Sequence, residues 1–263
     1  MTGTWIGRVF GSGTTGGNHA AVVTEVETGL REQASELGFR NVTFVGRREE
    51  RHVYLRTFTP REELPLCVSA SIATPVALGA QPGEAWTIEH RGGVLDVSVE
   101  GTAAAPVCWI TSPSTAEIRP PAALPDWFPP HRGVWRLGQA RSRLYAHIED
   151  PDGFTLPALA DLRRLCADND CRGVVFFGGD GPIVRSREFA LLDAGELVAT
   201  GGAALGIGLL LRDEGRTDEL EIVQGPPDST AHGHLLLRFD EHGPQVGGQV
   251  FPLVQGRLLT AGT

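Results

Sequence analysis

The sequence predicts a mixed α/β fold of the α+β kind. It has two pseudo-symmetric halves, each a mostly antiparallel sheet curled into a barrel around one central apolar helix, with a cleft between the halves. Three observations carry this. Phe58-Thr59-Pro60, Glu63-Leu64-Pro65-Leu66-Cys67 and an apolar run to Gly79 are echoed by Phe189-Ala190, Val198-Ala199-Thr200 and an apolar run to Leu211. Both runs are apolar on all sides, so each helix belongs in an interior. The remainder of each half is short alternating segments separated by glycine and proline, the pattern of hairpins, which bury such a helix by curling around it.

Composition narrows the function. The chain of 263 residues fits one large domain or two of about 130, within the usual ~50–250 residues per domain. Hydrophobic residues are 41%, enough for a core shared among few elements. A net charge of −9 argues against a broad nucleic-acid surface. A small anionic substrate is still compatible, because local N–H groups and single arginines outweigh net charge. All 23 basic residues are arginine, which excludes a lysine Schiff base and covalent pyridoxal phosphate; no cofactor is expected. Cys67, Cys108, Cys166 and Cys171 are too few for a disulfide scaffold. Cys166 and Cys171 have no partner pair at zinc spacing, and His232 and His234 have no third ligand, so no metal is expected. Residues 1–17 show no signal pattern and no stretch approaches ~18 apolar residues, so a cytoplasmic protein without a membrane partner is expected.

In chain order, Thr4 to Phe10 reads as a strand and 11–17 as a glycine-rich loop whose spacing fits neither dinucleotide nor Walker motifs. Asn18 to Val23 resumes a strand. Gly29 to Leu37 is an amphipathic helix ended by Gly38. Val42 to Val45 and His52 to Phe58 are strands, the second with period-two alternation. Pro75 predicts a kink in the first apolar helix or a start close to that residue. Trp86 to His90 and Val94 to Glu100 form a hairpin, followed by a strand over Val107 to Thr111. The proline-rich stretch 113–130 divides the chain into halves 1–112 and 131–263, with the last strand free to cross back. The second half offers strands at Gly133 to Leu137, Arg143 to Ile148, Gly173 to Phe177 and Ile183 to Phe189, and a helix over Pro157 to Asp168. Leu220 to Gln224, His234 to Phe239 and Gln249 to Leu253 complete it, with Gly243 to Gly248 as a turn.

Ordered along the chain, several motifs resemble the phenazine-biosynthesis (PhzF-like) isomerase family, within the diaminopimelate epimerase fold. They are Val9-Phe10 with Gly17-Asn18-His19-Ala20-Ala21-Val22-Val23, Val42 to Val45, Phe58-Thr59-Pro60 with Glu63 to Cys67, Ala199-Thr200-Gly201, Gln224-Gly225 and Val246-Gly247-Gly248. The resemblance implies two pseudo-symmetric halves, a homodimer, and cofactor-free proton transfer next to a carboxylate or within a conjugated system. It also marks departures. Asn41 stands where the family has its proton-shuttling glutamate, Val68-Ser69 where it has glycine-histidine, Leu197-Val198 where it has aspartate-proline, Gly202 where it has serine, and His19 where it has proline.

Candidate residues follow. Cys67 opens the first apolar helix, and a helix N-terminus favours thiolate; in the epimerase relatives a cysteine at this place takes or gives a proton, whereas PhzF-like enzymes commonly carry one without that duty, and an ordinary buried thiol is the alternative. Thr200, at the matching place, is no useful base near neutrality, so symmetric two-base racemisation is not expected. Histidine as a residue type can carry protons near neutral pH, which makes His19 a candidate proton carrier. Asn41 does not titrate but can orient a carbonyl or carboxylate. Asn18, Ser69, Ala70, Thr200, Gly201 and Gly202 are expected to bind, since hydroxyls and free N–H groups at helix starts hold anions. Asp193 and Glu196 are alternative acids, though turn positions suit solvated carboxylates. The expectation is an isomerase moving a proton or double bond in a small unsaturated carboxylate of specialised, antibiotic-type metabolism. The alternatives are a non-catalytic binding protein, or a cyclisation or C–C lyase, on the same fold.

Overall fold

The structure is a computed structural model in which residues 3–13, 15–24, 28–111, 117–138, 142–191 and 195–257 are described. The chain divides into two units, Met1–Ser112 with Gly247–Thr263, and Pro113–Val246.

In the first unit β1 (Gly3–Val9) folds back on β2 (Asn18–Val23), with Arg8 opposite His19. Glycines between them serve the turn. Ser12 and Thr15 exchange backbone hydrogen bonds, and a side chain on Gly17, at φ +66°, would collide with the Val9 carbonyl. Helix α1 (Leu30–Leu37) is bracketed by left-handed Gly29 and Gly38 and leads to β3 (Val42–Glu49), parallel to β2. Leu30 and Ala34 pack against Ala21, Val23, Val42, Phe44 and Phe58. Strand side chains alternate, so Ala20 and Val22, like Thr43 and Thr57, point to the opposite, inner face.

Strand β4 (His52–Phe58) pairs antiparallel with β3, and the short β5 (Glu63–Leu64) folds onto its end. Helix α2 (Val68–Ala77) follows and is buried from Val68 to Pro75 at every residue but Ser69. It starts at Val68 rather than near Pro75. The proline falls in its last turn, and Leu78 N still bonds to the Thr74 oxygen (3.0 Å) and Ala80 N to the Pro75 oxygen (2.9 Å). Strand β6 (Ala85–His90) lies parallel to β4, and β7 (Gly93–Thr102) and β8 (Ala105–Thr111) continue antiparallel. Helix α2 contacts β1, β2, β7 and β8.

The second unit begins inside the proline-rich stretch, where β9 (Ile118–Arg119) pairs with β10 (His131–Leu137). Buried Asn169 ties this stretch down, accepting from Ala122 N at 2.7 Å and donating to the Ala123 oxygen at 2.8 Å. Then come β11 (Arg143–Ile148), α3 (Leu159–Asp168), β12 (Gly173–Gly178), β13 (Ile183–Ala190) and β14 (Gly195–Leu197). They are followed by α4 (Gly201–Asp213), β15 (Leu220–Gln224), β16 (Gly233–Asp240) and β17 (Gly243–Arg257). β10–β11, β12–β13 and β15–β16 are antiparallel, while β11–β12 and β13–β15 are parallel. This is the pairing order of the first unit repeated. Leu162, Leu165 and Cys166 of α3 pack on Val174, Phe176 and Phe189. By alternation Arg143, Tyr145, Val175 and Glu188 therefore share the inner face, and α4 contacts β11 and β16.

The stretch Gly243 to Gly248, expected as a turn, lies within the 15-residue β17. The turn is at Glu241 and His242, where Asp240 Oδ1 accepts from His242 N (2.8 Å) and Gly243 N (3.0 Å). Those glycines serve packing: a Cβ on Gly247 would stand 2.5 Å from Trp109, and one on Gly248 would collide with Phe10. From Gly247 onward β17 belongs to the first unit, pairing with β1 and β8. This closes β1-β2-β3-β4-β6-β7-β8-β17 into an eight-stranded barrel. Among the described residues no helix is long and apolar enough to cross a membrane.

Packing of α4 gives a first test. A side chain at Gly206 would collide with the Tyr145 ring and hydroxyl. Alanine normally stabilises a helix interior over glycine by about 1 kcal/mol. Here Gly206→Ala is expected to destabilise by about 1–3 kcal/mol through overpacking, read by urea unfolding; a variant as stable as the parent would contradict this packing.

Candidate active site: two helix entrances

Each unit presents its central helix through a loop clamped in the same way. In the first, Arg56 on β4 binds Glu63 on β5 through two hydrogen bonds of 2.8 Å, which hold the Glu63 carboxyl below its usual range. In the second, Arg187 on β13 binds Glu196 on β14 through two hydrogen bonds of 2.8 Å. Phe58 pairs with Glu63 and Phe189 with Glu196, so the clamps occupy equivalent places. Each glutamate lies four residues before the helix N-cap, Cys67 or Thr200. Glu196 is thus a clamp rather than a solvated acid, and Asp193 lies outside the described residues.

The first entrance is built around Cys67. Its backbone is extended (φ −140°, ψ 107°), it is buried, and its Sγ lies 3.4 Å from Ser69 Oγ. Gly92 N donates to the Pro65 oxygen at 2.7 Å, fixing the approach to the cap. Behind the cap, Ser71 Oγ donates to the Cys67 oxygen at 3.0 Å and lies 2.7 Å from His90 Nε2. With that serine proton committed, Nε2–H is the donor to Ser71. His90 Nδ1 is buried without a hydrogen-bond partner among the described residues. Burial pushes the His90 pKa down to about 4.

Further candidates lie at strand ends. Asn18 starts β2 opposite Val9, and Asn41 immediately precedes β3, whose first residue Val42 pairs with Phe58 at the end of β4 that leads toward Cys67. Alternation puts Asn18 on the inner face with Ala20. It puts His19 on the outer face with Ala21; His19 is exposed, with Nε2 3.4 Å from Arg8 Nη2. The fold therefore does not bring His19 to Cys67, because the parity of β2 is set by the cover of α1 on Ala21 and Val23.

The second entrance is built around Thr200, also extended at φ −140° and ψ 101°. Wholly buried Gln224 accepts from Thr200 N at 3.1 Å and donates to the Leu197 oxygen at 3.0 Å. The same amide lies 3.3 Å from Thr200 Oγ1 and from Glu188 Oε2. Glu188, with no exposure, accepts from Arg143 Nε at 2.7 Å. Burial opposes the Arg143 charge, yet Glu188 and Tyr145 beside it hold its pKa above the ordinary value. Burial pushes the Tyr145 pKa up to about 12, and its hydroxyl donates to the Gly202 oxygen at 3.4 Å. Leu197, at the place of the family aspartate, is buried and pairs with Glu188 across the ladder.

Several residues with chemistry stand apart from both entrances. Burial pushes the Cys108 thiol up to about 12. Cys166 and Cys171 are buried free thiols beside each other. His234 pairs with Glu221 at 2.6 Å, and His232 Nε2 lies 2.7 Å from the Pro226 oxygen. A groove of about 850 Å³ in the first unit is lined by Ala77, Leu78 and Gly79, the end of α2 opposite Cys67. Among the described residues no group of three His, Cys, Asp or Glu could hold a metal ion.

Residues 8–123 match the model of the phenazine biosynthesis-like protein family. The family resemblance is borne out. Solved PhzF-like structures cover the whole fold. A predicted epimerase from Pseudomonas aeruginosa superposes at TM-score 0.81 and 20% identity, over 99% of this chain and 100% of that one. A PhzF-family phenazine biosynthesis protein from Bacillus anthracis gives 0.76 at 17% identity, over 99% and 100%. A hydroxyproline epimerase from Agrobacterium vitis, with bound trans-4-hydroxy-L-proline, gives 0.59 at 12%, over 97% and 91%. At these identities the likeness establishes the fold. No curated protein matches the sequence.

Proposed function

We propose that this PhzF-like chain is a cofactor-independent isomerase that moves a proton, and with it a double bond, in a small unsaturated carboxylate of specialised metabolism. The observation that carries this reading is the pair of braced helix entrances, one of them capped by a thiol. Cys67 is the proton carrier, with Ser69 Oγ at 3.4 Å as its hydrogen-bond partner. Asn18 and Asn41, at the rim of the same barrel, orient the substrate. Ser69 and Ala70 at the first helix start are assigned to anion binding through a hydroxyl and N–H donors, and so, separately, are Thr200, Gly201 and Gly202 at the second. Threonine and leucine at the places of Thr200 and Leu197 leave one titratable carrier, which suits a one-base tautomerisation better than racemisation. A ring carboxylate is in keeping with the hydroxyproline bound by the Agrobacterium vitis enzyme. The working form in this reading is a cytoplasmic homodimer.

Cys67→Ala is expected to reduce turnover of such a substrate by ~10²-fold or more, the scale of a lost acid/base group. Full turnover in a folded Cys67→Ala protein would remove the thiol from the mechanism. Buried Leu197 where the family has an aspartate favours one second reading, a binding protein that keeps the frame without the chemistry. It predicts substrate binding that Cys67→Ala leaves unchanged and no proton exchange.

A further inference from the structure

The second unit's sheet carries an inward-facing ion pair that the first unit, built to the same pairing order, lacks. The registers Ala21↔Val42↔Phe58 and Leu144↔Val174↔Phe189 make Arg143 the counterpart of Ala20, and Glu188 the counterpart of Thr57. The first barrel closes with a methyl and a hydroxyl at these places. Buried ion pairs are often no more stable than apolar residues of similar volume, so packing does not explain an arginine here.

Its geometry does suggest a use. Arg143 Nε is committed to Glu188 Oε1 at 2.7 Å. The guanidinium lies over the first turn of α4, where Arg143 Nη1 would stand 3.6 Å from a Cβ on Gly202; the glycine leaves that space open. The Tyr145 hydroxyl is a second hydrogen-bond partner of the guanidinium. A quarter of the Arg143 side chain is exposed, while Glu188 is fully buried behind it. Gln224 joins Glu188 to Thr200 N, so the arginine and the helix cap are set by one network.

We propose that Arg143 is the carboxylate anchor of the second helix entrance, with Glu188 and Gln224 as positioning residues that aim its Nη edge. A planar carboxylate accepts from that fixed edge. This rests on the reading of that entrance as an anion site, and it adds a charged receptor that neither the Thr200 motif nor the family resemblance supplies.

The test is calorimetric titration with benzoate, and with benzamide as its uncharged analogue, while the Arg143 guanidinium resonances are followed by NMR. Because Arg143→Gln alone strands Glu188, the working variant is Arg143→Gln with Glu188→Gln, which keeps a neutral hydrogen bond. Benzoate is expected to shift the Arg143 resonances and benzamide to leave them in place. The folded double variant is expected to bind benzoate about 10–100-fold more weakly, the scale of a hydrogen bond to a charged group. Absence of saturable benzoate binding, or undiminished binding by the double variant, would overturn the assignment. Deuterium exchange on the same proteins separates the two claims. Binding through Arg143 without exchange leaves the anchor and removes the isomerase. Full exchange in the double variant leaves the isomerase and removes the anchor.

Discussion

Replacing Arg143 by methionine is expected to lower the unfolding free energy by about 3–5 kcal/mol, the scale of stranding one member of a buried pair. The reason is Glu188: it has no exposure, and among the described residues it keeps only Gln224 Nε2, at 3.3 Å, as hydrogen-bond partner once the guanidinium is gone. A buried carboxylate so placed must either stay charged without compensation or take up a proton. Changing both residues to glutamine removes both charges, and most of the stability is expected to return. Urea unfolding of the parent, single and double variants at neutral pH measures the three values. A single variant within about 1 kcal/mol of the parent would mean that Glu188 is not held by Arg143.

The second large effect is acid sensitivity from His90. Its folded pKa, near 4, lies below the ordinary 6.5, because burial disfavours the imidazolium. The unfolded chain therefore binds the extra proton first. The contribution to stability is complete above about pH 6.5 and is lost progressively as pH falls toward 4. Its full extent is on the order of 3 kcal/mol, from about 1.4 kcal/mol per pKa unit. Protonation would put a second N–H on the buried Nδ1, which has no acceptor among the described residues. His90→Gln can keep a donor toward Ser71 and does not titrate. Its stability is expected to change less than the parent's between pH 7 and 5, with the difference read from denaturant midpoints at each pH. Parallel pH profiles for the two proteins would show that His90 does not stay neutral in the fold.

Much of this was legible in the chain because it is local. Phe58 and Phe189 ending strands, and Cys67 and Thr200 before uniformly apolar runs, mark two interior helices without any tertiary information. The clamps were legible in principle, since Glu63 and Glu196 each stand four residues before the cap with an arginine two before the phenylalanine. That spacing is masked in the sequence because the intervening turns differ in length and a turn glutamate ordinarily faces water. Other features depend on which strands meet. Arg143 and Glu188 are 45 residues apart and come together only through the β11-β12-β13 ladder. His90 reaches Ser71 only because β6 runs parallel to β4. The orientation of His19 rests on strand parity, which a one-residue shift would invert. Gly247 and Gly248 suggested a turn because the aromatic rings of Trp109 and Phe10 that cover them come from distant strands.

The measurement closest to the central claim is proton NMR of unsaturated cyclic carboxylates incubated with the protein in D₂O. The account predicts deuterium entering one ring carbon, at a rate that collapses in Cys67→Ala while the variant stays folded. Saturable binding of those same carboxylates with no deuterium uptake and no double-bond shift would contradict it and leave a binding protein on an isomerase-like frame.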